Sequence, residues 1–176
     1  DDGYEGAVQD FVRESLDARR SGAFLQDFFE TVQLTCLAGC VTSLTQLVIK
    51  TLAPGVPDIY QGSELWDLSL VDPDNRSLVD YPMRHTYLKE DRDAVTLLPR
   101  WRSGVVKLAV LRAALTVRAR FGSDIVDADY VPLEVEGPRA ENIVAFARTS
   151  GRQVAVVIGT RFATHLLRDA EQPVFS

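Results

Sequence analysis

The side chains best able to do chemistry crowd into one stretch of this chain, residues 58–81. It contains Tyr60-Gln61-Gly62-Ser63-Glu64-Leu65-Trp66-Asp67, then Val71-Asp72-Pro73-Asp74-Asn75-Arg76, then Asp80-Tyr81. With Asp58, the carboxylates of Glu64, Asp67, Asp72, Asp74 and Asp80 stand beside an Arg, a Gln, an Asn and three aromatic rings. Sugars are bound by such sets. Carboxylates and amides hydrogen-bond hydroxyls, and aromatic faces cover the apolar faces of the ring. The candidate substrate-binding residues are therefore Tyr60, Gln61, Glu64, Trp66, Asp72, Asp74, Asn75, Arg76, Asp80 and Tyr81. In an extended segment Asp72 and Asp74 would point the same way. Arg76 would hold one of them through a bidentate pair. The plainer alternative is a solvated acidic loop closed by Asx turns.

Other chemistries find less support. Gly62-Ser63 does not form a G-x-S-x-G elbow, and His85 and His165 read as surface or loop histidines. No G-x-G-x-x-G or G-x-x-x-x-G-K-[ST] string occurs, and no metal-ligand cluster stands out, so no cofactor is expected. Cys36 and Cys40 would share one helix face, as two packed thiols in a reducing compartment. The balance of 19 basic against 25 acidic residues, net charge −6, argues against a nucleic-acid backbone as partner. No apolar run approaches the ~20 residues that cross a bilayer, so no membrane span is expected. The acidic start, Asp1-Asp2-Gly3-Tyr4-Glu5, lacks the basic region of a secretory signal. At 176 residues and 46% hydrophobic, the chain is long and apolar enough for about one globular domain.

The elements that must position the polar stretch are mostly helical. Tyr4, Ala7, Val8, Phe11, Val12 and Leu16 recur at helical steps, with Arg19-Arg20 expected in the last turn and a break at Ser21-Gly22. Phe24, Leu25, Phe28, Phe29 and Val32 open a second apolar face. Leu34, Leu37, Ala38, Val41, Leu44, Val48 and Leu52 continue it, with a break expected near 39–43 and a stop at Pro54-Gly55. Val56 to Gln61 reads as a strand, and 62–99 as a long loop without period. Trp101 to Phe121 reads as helix, ended by Arg118, Arg120 and Gly122. Strands are expected at 130–135, 143–148 and 154–158, the last two joined by a hairpin at Ser150-Gly151. The residues from Arg161 onward give no clear pattern.

The run from Leu44 through Ala53-Pro54-Gly55-Val56-Pro57-Asp58-Ile59-Tyr60-Gln61-Gly62-Ser63-Glu64-Leu65-Trp66-Asp67 closely resembles the maltooligosyl trehalose synthase family. So do Ser69-Leu70-Val71-Asp72-Pro73-Asp74-Asn75-Arg76, Val79-Asp80-Tyr81 and Pro132-Leu133-Glu134-Val135-Glu136-Gly137-Pro138-Arg139-Ala140. The shorter Pro-Gly-x-Pro…Tyr-x-Gly-x-Glu theme is shared across the α-amylase clan, where it marks the last barrel strand and its loop. One departure stands out: Ser77-Leu78 follows Asn75-Arg76 where the family usually has Arg-Pro, which removes a basic side chain beside the loop.

The resemblance implies a (β/α)₈ barrel with a C-terminal β domain. The implied activity is intramolecular transglycosylation, which turns the reducing-end α-1,4 link of a maltooligosaccharide into an α,α-1,1 link. It implies a nucleophilic Asp, an acid/base Glu and a stabilising Asp, the pair of reacting carboxylates ~5 Å apart as in retaining glycosidases. These belong to earlier barrel strands, and the segment bearing the last of them contains a His-Asp pair that is absent from this sequence. The expected fold class is α+β, mainly helical: the last helices of a barrel, strand 8 and its loop in residues 1–125, then the start of a small antiparallel β domain in 126–176. By this reading the chain alone is inactive. Its partners are a maltooligosaccharide and the missing N-terminal part of the barrel; it self-associates in isolation and belongs in the cytoplasm. The alternative is a non-catalytic glucan-binding or protein-interaction module.

Overall fold

A computed structural model describes residues 1–90 and 92–168. The end of the expected β domain, from 169 to Ser176, lies outside the described residues.

Helix α1 (Asp2–Ser15) starts where Asp1 caps it, the carboxylate accepting from the Gly3 amide at 3.0 Å. It stops at the end of its apolar stripe, before the break expected at Ser21-Gly22. Arg13, not Arg19 or Arg20, occupies the last turn. The cause is local: the Asp17 carboxylate accepts from the Arg19 amide at 2.8 Å, an Asx turn that competes with the helix.

Helix α2 (Gly22–Leu52) then runs 31 residues without the break expected near 39–43. One Gly inside a helix costs only about 1 kcal/mol, and the apolar stripe continues across Gly39 to Leu47, Val48 and Leu52, which pack on other elements. Continuity also corrects the membrane expectation as far as length and composition go. One window of α2 has a mean hydropathy of 1.6 over 18 residues, enough to cross a bilayer by those two criteria. In this structure its C-terminal half lies on the β-sheet and on two later helices, while Phe24, Phe28 and Phe29 near its start are exposed. The two thiols are free, but only Cys40 is partly covered; Cys36 is exposed, so the expectation of two packed thiols fails for it.

The strand expected at 56–61 does not form. Its backbone follows an irregular course with no ladder partner among the described residues. A strand exists only through its neighbours' hydrogen bonds, and none lies alongside. The region 62–99 is conversely more ordered than a loop without period. It holds a 3₁₀ turn at Asp74–Arg76, helix α3 (Tyr81–Lys89), helix α4 (Ala94–Leu97) and a 3₁₀ segment at Leu98–Ser103. Asp80 and Asp93 cap α3 and α4, each accepting a backbone amide at 2.8 Å. Asp80 followed by Pro82 was a readable helix start.

Helix α5 (Val105–Phe121) is framed by Gly104 and Gly122, at φ 78 and 60. The one-turn helix α6 (Asp124–Asp127) leads into strands β1 (Asp129–Pro132), β2 (Ile143–Ser150) and β3 (Gln153–Thr160), antiparallel in the order β1-β2-β3. Ser150 pairs with Gln153 across Gly151-Arg152, and Gly151 at φ 57 supplies the positive φ of a two-residue hairpin. Helix α7 (Ala163–Arg168) follows.

The sheet is seated on α2. Leu52, Phe146 and Val157 form one core with Val48, Ile49 and Val117 around it. Phe121, Ile125, Ala128 and Ala155 form a second. A third, Leu97, Val105 and Val106, gathers Trp66, Tyr87 and Trp101 beneath the polar stretch. Two arginines fix the end of α2. Arg118 donates to the carbonyls of Thr51 and Gly55, both at 2.9 Å, and the fully buried Arg148 donates to Leu52 at 2.8 Å. Cations belong at a helix C-terminus, and these two fix where the chain leaves α2 towards Tyr60.

Candidate functional site

Tyr60, the first candidate residue of the polar stretch, lies eight residues past the end of α2 at Leu52. Tyr60 is half exposed, and its carbonyl accepts from the Ser63 amide at 3.1 Å and the Ser63 hydroxyl at 2.6 Å, closing a tight turn. Gln61 is exposed. The chain then dips inward through Gly62, Glu64, Leu65 and Trp66.

Arg84 on α3, a residue the sequence reading passed over, holds this dip. Its Nε donates to Glu64 Oε2 at 2.9 Å, its Nη2 to the Gly62 carbonyl at 2.7 Å, and its Nη1 to the Asp80 carbonyl at 3.0 Å. Glu64 Oε2 also accepts from the Gly62 amide at 3.0 Å. The Arg84 and Glu64 side chains are only 12% and 22% exposed, so the pair is screened far less than a surface one.

Below the dip, α5 presses against it. The buried Lys107 donates to the Leu65 carbonyl at 2.9 Å, with its ammonium 5.6 Å from the Trp66 ring centre. Burial pulls the Lys107 pKa down, Lys50 pulls it further, and Asp67 and Glu64 oppose them. Gly104 approaches so closely that a Cβ there would meet the Trp66 amide nitrogen at 2.8 Å and Leu65 Cβ at 2.9 Å. Trp66 donates its indole N–H to the Trp101 carbonyl at 2.5 Å.

Beyond Trp66 the chain turns outward. The Asp67 carboxylate accepts from both the hydroxyl and the amide of Ser69, which lowers its pKa. Leu68, Leu70, Val71 and Leu78 all stand in solvent. The Asp72–Arg76 pair forms as the spacing anticipated, bidentate at 2.6 and 2.8 Å, with both side chains more than half exposed. Asp74 does not share that face. Residues 72–76 form a turn and a 3₁₀ helix rather than an extended run, and Asp74 Oδ2 accepts from the Leu70 amide at 2.6 Å instead. Asn75 Oδ1 is buried and carries no hydrogen bond. Asp80 is spent on capping α3, and Tyr81 stands half exposed in its first turn.

Nine of the ten candidates divide into two groups. Glu64, Trp66, Asp74 and Asp80 are engaged in holding the backbone. Tyr60, Gln61, Tyr81 and the Asp72–Arg76 pair face solvent, where a ligand can reach them. Asn75, half-buried with its Oδ1 unpaired, belongs to neither group. His85 and His165 are exposed on α3 and α7. A cavity of about 680 Å³ lies elsewhere, between α2 and α5, lined by Val48, Leu52, Ala109, Ala113 and Val117 with Arg92 and Arg120, and includes none of the ten. No group of three or more potential metal ligands occurs among the described residues.

No protein-family model matches the chain. Among curated proteins, the maltooligosyl trehalose synthase of two Mycobacterium tuberculosis strains is 40% identical over 124 residues, 70% of this chain. The chain is homologous to one segment of the maltooligosyl trehalose synthases. It spans 14% of the length of those relatives. Solved structures agree. The maltooligosyltrehalose synthase of Arthrobacter ramosus superposes with a TM-score of 0.70 at 30% identity over 96% of this chain, and a mutant of the same enzyme with 0.72 at 29%. A further maltooligosyl trehalose synthase crystal structure gives 0.70 at 26% over 84% of the chain. In each case the match takes in 20 or 21% of the solved chain. The mixed helical architecture with a small antiparallel sheet is therefore that of part of a maltooligosyl trehalose synthase.

Proposed function

We propose that residues 60–81 form part of the substrate cleft of a maltooligosyl trehalose synthase, and that the whole enzyme moves the reducing-end α-1,4 link of a maltooligosaccharide to an α,α-1,1 link. The carrying observation is the 40% identity to the mycobacterial synthase, joined to a polar stretch whose exposed side chains suit sugar hydroxyls and ring faces. Residues 1–125 would complete the end of a barrel, and 126 onward would begin a β domain. In such barrels the loops after the strands carry the active site, and a segment after the eighth strand would meet the sugar with Tyr60, Gln61, Asp72, Arg76 and Tyr81.

The chain's own part in the chemistry is positional. It would hold the sugar in attack geometry while carboxylates from the remainder of the barrel react. The chain alone would be inactive. Its partner would be the remainder of the barrel, which would cover the exposed rings of Phe24, Phe28 and Phe29; without it the chain would self-associate. A cytoplasmic setting fits the free thiols of Cys36 and Cys40. The test is to express the full reading frame that contains this segment and incubate it with maltopentaose. A product ending in a trehalosyl unit supports the reading, with no such product from the 176-residue chain. Product from the purified short chain overturns the positional role.

A further inference from the structure

We infer that Arg84 is a positioning residue for the substrate loop, and that Glu64 serves it as a clasp rather than touching sugar. The inference rests on the proposed reading of the loop as part of a sugar cleft, and it goes beyond it by dividing the candidate residues into those that bind and those that hold.

Three observations carry it. All three guanidinium nitrogens of Arg84 are engaged, each donating to a different group: Glu64 Oε2, the Gly62 carbonyl and the Asp80 carbonyl. Those three lie on either side of the exposed segment 67–79, so one side chain closes the base of the whole loop. Glu64 Oε2 is in turn occupied from two directions, by Arg84 and by the Gly62 amide. A sugar hydroxyl would have to compete with both for that oxygen. The pair is also more enclosed than any other ion pair among the described residues. Two further contacts give the base a floor: Lys107 on the Leu65 carbonyl, and the close approach of Gly104 to Leu65 and Trp66. The loop therefore has a fixed base and an exposed arm bearing Asp72 and Arg76. Such an arm presents its groups to a ligand only as accurately as its base is held.

Planar geometry is essential to this role. A lysine at 84 would keep the charge but could not donate in three fixed directions from one plane. Charge alone should not restore the function.

The test uses the full-length enzyme and the variants Arg84→Gln, Arg84→Lys, Glu64→Gln and the double variant Glu64→Gln/Arg84→Gln. The wild type with maltopentaose reports on the functional reading by itself. The variants report on the clasp through two readouts. The first is kinetic. Each single variant is expected to lose roughly tenfold to a hundredfold in kcat, as a misplaced binding group does, with KM changed less. The double variant should be no worse than the poorer single one, and Arg84→Lys should not recover. The second needs no activity: trypsin should cut after Arg76 at least severalfold faster in every clasp variant than in the wild type, at a temperature where all remain folded. If wild-type enzyme makes no trehalosyl product yet the Arg76 cut accelerates, the clasp stands and the functional reading falls. Multiplicative losses in the double variant would overturn the inference. So would a Glu64→Gln loss with Arg84→Gln unaffected, which would put Glu64 on the sugar. An unchanged cleavage rate would overturn it as well.

Discussion

Arg148 and Arg76 place the same side chain in opposite surroundings. Arg148, on β2, is fully buried, and its partners are all backbone carbonyls: Leu52 at 2.8 Å, Ile125 at 2.6 Å, Ala128 at 2.9 Å and Asp129 at 3.3 Å. It ties the end of α2, the short α6 and the first strand into one junction. Arg76 grips a carboxylate with better geometry for charge pairing, yet stands in solvent at the tip of a loop. The difference teaches that pairing chemistry alone does not set what an arginine is worth. A buried guanidinium is surrounded by groups that water cannot reach, so removing it strands every acceptor. An exposed pair exchanges one set of hydrogen bonds for another in water, and little stability is at stake. What Arg76 can still contribute is orientation of a ligand.

The largest expected effect is therefore at the junction. Arg148→Met should destabilise the protein by about 3 kcal/mol or more, because its buried carbonyl partners lose their donor at about 1–3 kcal/mol for each one left unsatisfied. Urea unfolding of the full-length enzyme and of the variant measures it. A loss below about 1 kcal/mol would erase the contrast with Arg76.

Lys107 is buried like Arg148 but holds a single backbone carbonyl, that of Leu65 at 2.9 Å, beside the Trp66 ring. Desolvation lowers its pKa below the ordinary 10.5. Between that lowered value and 10.5, the unfolded chain holds a proton that the folded chain has released, so stability rises with pH across the window. Below the lowered value both states are charged and the slope vanishes. Urea midpoints taken from about pH 8 to pH 10.5 should move in favour of the wild type relative to Lys107→Met. A constant difference would mean that the ammonium is hydrated as in the unfolded chain.

Asp80→Ala should cost about 1 kcal/mol through loss of the α3 cap, seen as a lower melting temperature, with the Arg84 contacts kept because none of them uses the Asp80 side chain. The smallest stability effect belongs to Arg76→Ala and Asp72→Ala, at most about 1 kcal/mol. In the full-length enzyme, turnover on maltopentaose should fall further than stability does, about tenfold if one charged hydrogen bond is felt only in the transition state. Early melting with normal kinetics in the folded enzyme would make the pair structural and sharpen the comparison in the other direction.

Much of the molecule was legible from residue order. The helical stripes, Gly122 after α5, the hairpin at Gly151 and the i,i+4 pair of Asp72 with Arg76 depend on neighbours within a turn or two, which the sequence displays directly. Local competition already limits this, as Asp17 shows by ending α1 early. Tertiary structure decided the rest. It kept α2 whole through Gly39, because packing on the sheet outweighs a weak residue. It left 56–61 unpaired, because a strand requires a neighbour. It also brought Arg84 to Glu64, Trp66 to Trp101 and Lys107 to Leu65 across 20 to 42 residues of sequence, and Arg148 to Leu52 across 96. Most of these contacts end on a backbone carbonyl. Every residue carries the same carbonyl, so no pattern of side chains announces which one a distant arginine or lysine will find. Only the folded path of the chain chooses it.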